Sequence, residues 1–212
     1  MKVQVLYSGG QDSSLSAVLL EPFFEVELVT CSFGSGAWKY AEQAAEVIGF
    51  PFRTITLGPD VMEGCIDQIL KHGYPRYGIN YVHGKALEAV AIDAAEKTAT
   101  TGFAAVKADA AGCAYIADGT RRDDHSPMLT MPEIKSLEMR YGVQYVRPLA
   151  GYGRHAIDAL VKKHFEIVEG PAIEKSDYES EIRSSIKHRF GEKAVDRLFP
   201  QEHAQSRVMR RL

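Results

Sequence analysis

The chain has 212 residues, of which 45% are hydrophobic and 25% charged, and a net charge of −3. These are globular proportions, and a chain of this length can bury a core that needs no disulfide or metal staple. Mean hydropathy is −0.18 and no run approaches the roughly 18 apolar residues of a membrane span, so disordered, collagen-like and membrane-spanning classes are excluded.

Residues 3–7 form a short β-rich run with little alternation, as expected of a buried strand. A glycine pair follows, and residues 12–20 predict a helix that Pro22 stops. Residues 26–30 predict a second strand, residues 37–48 a helix that Gly49 can end, and residues 52–57 a third strand. Val61, Met62, Cys65, Ile66, Ile69 and Leu70 share one helical face. Gly73-Tyr74-Pro75 breaks that helix, and residues 82–99 predict another. The Ala- and Thr-rich residues 98–112 read as either a continuing helix or an irregular insertion. Residues 113–117 predict a fourth strand, residues 132–141 a helix with Pro in its first turn, residues 143–146 a fifth strand and residues 154–165 a helix. Glu169-Gly170-Pro171 reads as a boundary. Beyond it Tyr178, Ile182, Ile186 and Phe190 make an apolar stripe on a helix, a short helix runs to Phe199, and a polar, Arg-rich tail ends the chain.

Strands alternating with helices predict an α/β fold, a doubly wound parallel five-stranded sheet over residues 1–170, with residues 171–212 as a helical C-terminal appendage. Ligands of such sheets bind beyond the carboxyl ends of the strands, at the switch point. The loops after the strands are therefore the candidate sites.

The first loop, Ser8-Gly9-Gly10-Gln11-Asp12-Ser13-Ser14, follows the first strand and opens a helix. Its glycines let backbone approach a bulky ligand, its amides point out of a helix N-terminus that favours anions, and Ser8, Ser13 and Ser14 add hydroxyl donors. The pattern is a phosphate cradle, yet no Gly-Lys-Ser/Thr follows and it is not GxGxxG. The plainer reading is an Asp/Ser cap after a glycine turn; six contiguous positions in a strand–loop–helix setting favour the functional one.

The run matches Ser-Gly-Gly-x-Asp-Ser, and so the chain resembles the PP-loop superfamily of N-type ATP pyrophosphatases, which includes GMP synthetase, NAD synthetase, 7-cyano-7-deazaguanine synthase and tRNA thiolation enzymes. The resemblance implies ATP and Mg²⁺ as cofactors and a sheet order of 3-2-1-4-5. It also implies a reaction. The β- and γ-phosphates leave together as pyrophosphate while a substrate oxygen attacks the α-phosphorus, giving an adenylated intermediate and later AMP. Ser8, the Gly9 and Gly10 amides and Ser13 would neutralise the leaving group, and Asp12 would orient the loop or help hold Mg²⁺.

The implied order sets the second loop, residues 118–124, beside the first. Gly119 and Thr120 permit close approach to a nucleotide. Arg121 and Arg122 could meet phosphate, and Asp123 and Asp124 are hard oxygen donors suited to Mg²⁺. Which of them fills the acidic metal position of the family stays open, and a self-paired Arg/Asp turn is the plainer reading.

Weaker candidates follow. Family members hold adenine after the second strand, which points to Ser32 and Phe33, although Phe33 equally suits a core. Arg154 opens a helix after Gly151-Tyr152-Gly153 as a second anion arm. The aromatic, basic residues 74–81 could stack a base. Arg207, Arg210 and Arg211 of the tail could close over phosphates or touch RNA; Gln205-Ser206-Arg207-Val208 resembles the tail of stand-alone archaeal PP-loop proteins, and a frayed terminus is the plainer reading.

Cys31, Cys65 and Cys113 form no disulfide framework and no CxxC pair. No paired-cysteine cluster offers an iron–sulfur or zinc site, and His72, His83, His125 and His203 lack ligand spacing. The start of the chain has no apolar leader, so a cytoplasmic protein is expected. Residues 1–112 carry 8 Lys and Arg against 13 Asp and Glu, and residues 113–212 carry 17 against 15. That arginine-richer second half favours an acceptor in tRNA, with a small metabolite, in an amide or thioamide synthetase, as the alternative. A sulfur- or ammonia-donor protein and a homo-oligomer are the further expected partners. A non-catalytic nucleotide sensor of universal-stress type is the reading from a different class, and it lacks the Ser-Gly-Gly-x-Asp-Ser run.

Overall fold

β1 (Lys2–Leu6) pairs in parallel with both β2 (Glu25–Ser32) and β4 (Ala114–Ala117), which makes it the strand where the winding reverses. The computed structural model describes residues 1–100, 113–124, 127–170, 178–199 and 205–212. β3 (Phe52–Thr56) and β5 (Val143–Val146) extend the sheet to the order β3-β2-β1-β4-β5, as expected, and every pairing is parallel. Parallel neighbours require crossovers, supplied by α1 (Gln11–Leu20), α2 (Lys39–Ile48), α3 (Pro59–His72), α4 (Arg76–Thr100), α5 (Met131–Tyr141) and α6 (Arg154–His164).

The pleat of β1 divides the core. Val3, Val5 and Tyr7 face a cluster with Leu15 of α1, Ala44 of α2 and Ile157 of α6, whereas Leu6 faces a cluster with Ile69 of α3, Leu87 of α4 and Leu137 of α5. Both faces are covered, which explains why the strands read as apolar runs without alternation.

α4 begins at Arg76, not at residue 82, so most of the 74–81 stretch is helical and not a connection. Close packing of α3 on α4 explains this. A Cβ at Gly78 would lie 2.4 Å from Ile69 Cγ1 and 2.8 Å from the Cys65 carbonyl oxygen, and one at Gly64 would lie 2.7 Å from the Tyr81 hydroxyl. Residues 101–112 of the ambiguous stretch lie outside the described residues.

The C-terminal part contains α7 (Tyr178–Phe190) and α8 (Glu192–Leu198), helical as expected, but the tail is no frayed end. β7 (Gln205–Arg211) pairs antiparallel with β6 (Phe165–Gly170) in a second, two-stranded sheet. Ile182 and Ile186 of α7 enter one core cluster and Val208 of β7 enters the other. The C-terminal part therefore packs into the same two cores as residues 1–170. Val208 is 1% exposed, so Val208→Ala is expected to cost about 2 kcal/mol and lower Tm by about 4–8 °C in a calorimetric scan. Among the described residues no helix is long and apolar enough to cross a membrane.

Candidate functional site

The loops after β1 and β4 meet at the switch point. A Cβ at Gly119 would lie 2.6 Å from the Ser13 nitrogen and 2.8 Å from Ser13 Cα, so the two loops touch backbone to backbone. Ser16 of α1 fastens the contact by donating to the Asp118 carbonyl at 2.7 Å. A cleft of about 290 Å³ opens beside them, near the lower limit of small-molecule sites. Ser8, Asp12, Ser13, Gly119, Thr120, Arg121 and Asp124 all line it.

In the first loop Gly9 has φ +77°, and a Cβ there would sit 2.9 Å from Ala41 Cα of α2. Glycine is required on both counts. Gly10 caps α1 with no side-chain bond. Ser13 Oγ lies 3.2 Å from Ser8 Oγ and donates to the Gly10 carbonyl at 3.2 Å. The Gln11 N–H is taken at 3.2 Å by the Ser206 hydroxyl of β7. Ser14 leaves the cradle: it is fully buried and its hydroxyl bonds that of Tyr7 at 3.0 Å, because its position on α1 faces the sheet.

Charge is concentrated on Arg121. Its Nε and Nη2 reach Asp124 Oδ1 at 3.0 and 2.6 Å, its N–H donates to Asp124 Oδ2 at 2.7 Å, and Nε lies 3.4 Å from Asp12 Oδ2. Two buried atoms of this cluster lack a partner, Asp12 Oδ1 and Arg121 Nη1. Burial pushes the Asp12 carboxyl above its ordinary value, against the pull of Arg121. A raised carboxyl opposes folding once ionised, and the opposition is relieved as pH falls through the folded value. Asp12→Asn is therefore expected to raise Tm by a few degrees at pH 7, read as a thermal melt, with the gain shrinking toward acid pH.

Of the remaining expected residues, Ile79 of the 74–81 stretch lines the cleft and the others lie off its lining. Arg122 and Asp123 pair with each other at 2.8 Å, and Asp123 also takes the Arg154 N–H at 3.3 Å. The Arg154 side chain turns along its own helix to Asp158 at 2.8 Å. Asp123 is thus neutralised at the rim, and of the Asp123–Asp124 pair it is Asp124 that lines the cleft. Ser32 is buried. Phe33 packs against the core, and its N–H donates to Glu181 of α7 at 2.8 Å, with the Ser35 N–H on the other carboxylate oxygen at 2.9 Å. Of the tail arginines, Arg210 pairs with Glu166, Arg211 with Glu21, and Arg207 lies over the Tyr40 ring at 4.5 Å. Cys31 lines the cleft, but burial pushes its thiol up to about 12, so it is inert at neutral pH. Among the described residues no three His, Cys, Asp or Glu side chains gather as a metal cluster.

The cleft also holds a group the sequence reading set aside. His83 of α4 lies between Asp118, with Nε2 at 2.8 Å from Oδ2, and the Tyr178 hydroxyl, 2.9 Å from Nδ1. The same Asp118 oxygen accepts from the Tyr145 hydroxyl at 2.6 Å, and Oδ1 accepts from the Thr120 N–H at 3.0 Å and hydroxyl at 2.8 Å. Burial alone pushes the Asp118 carboxyl up, but the bonds from His83, Tyr145 and Thr120 outweigh it and hold the group below its ordinary value. One signal was available. Val82, His83, Ala86, Leu87 and Val90 share one face of α4, so His83 interrupts an otherwise apolar stripe.

A family of unknown function (DUF7411) matches residues 1–210. An uncharacterized protein of Methanocaldococcus jannaschii is 41% identical over 214 residues, spanning 99% of this chain and 96% of its own. A crystal structure from the same organism, described as a predicted subunit of tRNA methyltransferase, matches 100% of this chain and 98% of its own at 38% identity and a TM-score of 0.83. The U34-tRNA thiolase NcsA of Methanococcus maripaludis aligns over 92% of this chain and 69% of its own, at 14% identity and a TM-score of 0.43, a likeness too slight to bear on fold or activity.

Proposed function

The chain belongs to the family of unknown function DUF7411, and from that premise we propose that it binds Mg²⁺–ATP at the switch-point cleft and adenylates an acceptor with release of pyrophosphate, as a PP-loop ATP pyrophosphatase. The observation that carries the reading is the pair of partnerless buried atoms of opposite charge, Asp12 Oδ1 and Arg121 Nη1, on two residues that line the cleft. Buried polar atoms ordinarily have partners, and a ligand that brings both a cation and an anion, as a metal-bound polyphosphate does, would supply both.

In this reading Ser8 and Ser13 offer hydroxyls to the departing phosphates, the N-terminus of α1 supplies its dipole, and Arg121 supplies a guanidinium. The donor set fits a hard divalent cation: Asp12 has a carboxylate oxygen to spare, and Asp124 shares the cleft. When bound, Mg²⁺ would add positive charge against the leaving pyrophosphate. Asp12 and Asp124 already share one cation, the Arg121 guanidinium, which offsets one of the two carboxylate charges before ligand arrives.

The acceptor assigned is a nucleoside in tRNA. Its support is the 38%-identical chain described as a predicted subunit of tRNA methyltransferase, together with the arginine-rich second half of the sequence. The same description favours a second reading, a subunit that acts only with a partner chain.

The test uses ATP labelled at the α- or γ-phosphate, with Mg²⁺, with and without total tRNA. AMP and pyrophosphate are expected, stimulated by tRNA, with the rate lower by about 10²-fold in Ser13→Ala. Mg²⁺ with ATP is also expected to raise Tm in the wild type but not in Asp12→Asn, a readout independent of turnover. ADP and orthophosphate would sink the adenylation reading. Ligand-induced stabilisation without turnover, restored to turnover by a cell extract, would select the partner-dependent subunit.

A further inference from the structure

We propose that Tyr178, His83 and Asp118 form a proton relay whose outer end, the Tyr178 hydroxyl, takes the proton of the nucleophile that attacks in this cleft. The relay rests on the adenylation reading for the identity of the step, and the acceptor class it serves is one bearing an O–H or N–H.

Three places remote in sequence bring the groups together: α4 carries His83, Asp118 directly follows β4, and the first position of α7 carries Tyr178. Asp118 is 1% exposed and His83 4%. An ionised Asp118 can only accept, so its 2.8 Å contact with His83 requires the proton to sit on Nε2. In the tautomer with its proton on Nε2 alone, Nδ1 presents a lone pair to the Tyr178 hydroxyl at 2.9 Å, and an imidazole so oriented is a base for the phenol. Asp118 holds the tautomer and stabilises the imidazolium that forms, as a carboxylate does in any hydroxyl–imidazole–carboxylate triad.

A purely structural bolt between α4, β4 and α7 would have no need of an opening. Here His83 and Tyr178 both line the cleft that Ser8 and Ser13 line. Tyr145 shows the contrast: it also bonds Asp118, but burial, reinforced by that carboxylate, pushes its hydroxyl well above the ordinary value, so it stays a fixed donor. Glu179 of α7 and Cys31 of β2 share the cleft wall with His83, as do Arg121, Asp124 and Asp12. Glu179 is engaged by Arg183 and, on α4 itself, Lys85 is engaged by Glu88.

The nucleophile's lone pair forms a bond to the α-phosphorus, and the bond from that phosphorus to the bridging oxygen breaks, pyrophosphate leaving with the electron pair. The nucleophile's proton passes to the Tyr178 oxygen while the phenol proton moves to His83 Nδ1. Loss of a proton to solvent resets the relay.

The full-length protein is treated with N-acetylimidazole, and acetylation of each tyrosine is followed by peptide mass mapping. Tyr178 is expected to react about 10-fold faster than Tyr74 and Tyr77, although those rings are 54% and 53% exposed. The excess is expected to vanish in His83→Gln. If that variant fails to fold, Asp118→Asn, which withdraws the acceptor that fixes the imidazole, replaces it and is expected to remove the same excess. In the labelled-ATP assay Tyr178→Phe is expected to slow AMP formation about 10²-fold while ATP-induced stabilisation persists. Equal reactivity of Tyr178 and Tyr74, an excess that survives His83→Gln, or undiminished AMP formation by Tyr178→Phe would each overturn the relay. If the wild type forms no AMP, the adenylation reading falls by itself, and the acetylation excess alone upholds or overturns the relay.

Discussion

Gly119→Ala is expected to lower Tm by about 2–12 °C and to abolish stabilisation by Mg²⁺ and ATP. The added Cβ would stand 2.6 Å from the Ser13 nitrogen, 2.8 Å from Ser13 Cα and 2.9 Å from the Asp12 carbonyl carbon. All three neighbours are backbone at the start of α1, so no flexible side chain can move aside. The loops cannot simply part, because Ser16 ties α1 to the Asp118 carbonyl at 2.7 Å. Overpacking of this kind costs about 1–3 kcal/mol, which for a chain of this size corresponds to the stated drop. The functional loss is the greater effect. Separating the loops carries Arg121 and Asp124 away from Asp12 and Ser13, and a displacement of about 1 Å is enough to cost 10²-fold in a positioned site. Gly151→Ala is the control: nothing lies within 4 Å of its added Cβ, and its melt should match the wild type. Paired melts with and without Mg²⁺ and ATP decide the matter, and a Gly119→Ala protein that keeps its ligand-induced shift would show that the two loops do not act as one site.

Asp118→Ala is expected to cost about 3–5 kcal/mol, the scale of breaking a buried charged network by removing one member. The variant strands the His83 Nε2–H, the Tyr145 hydroxyl and both Thr120 donors, which all converge on this carboxylate. Domains of this size hold about 5–15 kcal/mol in total, so Tm should fall by about 6–20 °C. The pH dependence adds a second signature. The folded carboxyl lies below its ordinary value of 3.8. Its stabilisation is therefore complete above the unfolded value and is lost as pH falls through the folded one. The wild type should lose stability below about pH 4 more steeply than Asp118→Ala, by close to one proton in the slope of unfolding free energy against pH. Denaturant melts from pH 2 to 7 read both effects. Equal acid slopes in the two proteins would mean that Asp118 does not anchor the network as an ion.

Much of the fold was legible in local pattern. Val3, Val5 and Leu6 before a glycine pair make a short apolar run, and the face shared by Val61, Cys65, Ile66 and Ile69 expresses a period of 3.6; both depend only on neighbouring residues. β6 and β7 were missed for the opposite reason. Glu166, Glu169, Arg207 and Arg210 make both segments polar, and each becomes a strand only by pairing with a partner some 40 positions away, as Glu166 does with Arg210. The helical start of α4 was missed because Gly78 and Gly64, which weaken a helix in isolation, are what allow α3 and α4 to pack closely.

The sequence by itself determined the wound α/β architecture and the loop Ser8 to Ser13, because a glycine turn between a strand and a helix is a local device whose residues are contiguous. It also named Gly119, Arg121 and Asp124, since they follow a strand end. Only the tertiary structure decided which of these residues lie together. It set Asp12, Arg121 and Asp124 in one charged cluster, turned Ser14 inward, left Asp123 and Arg154 at the rim, and joined His83 to Asp118 and Tyr178 across three elements. The physical reason is that hydrogen bonds, burial and desolvation depend on distance in space, and chain folding brings together groups whose separation in sequence carries no trace of their contact.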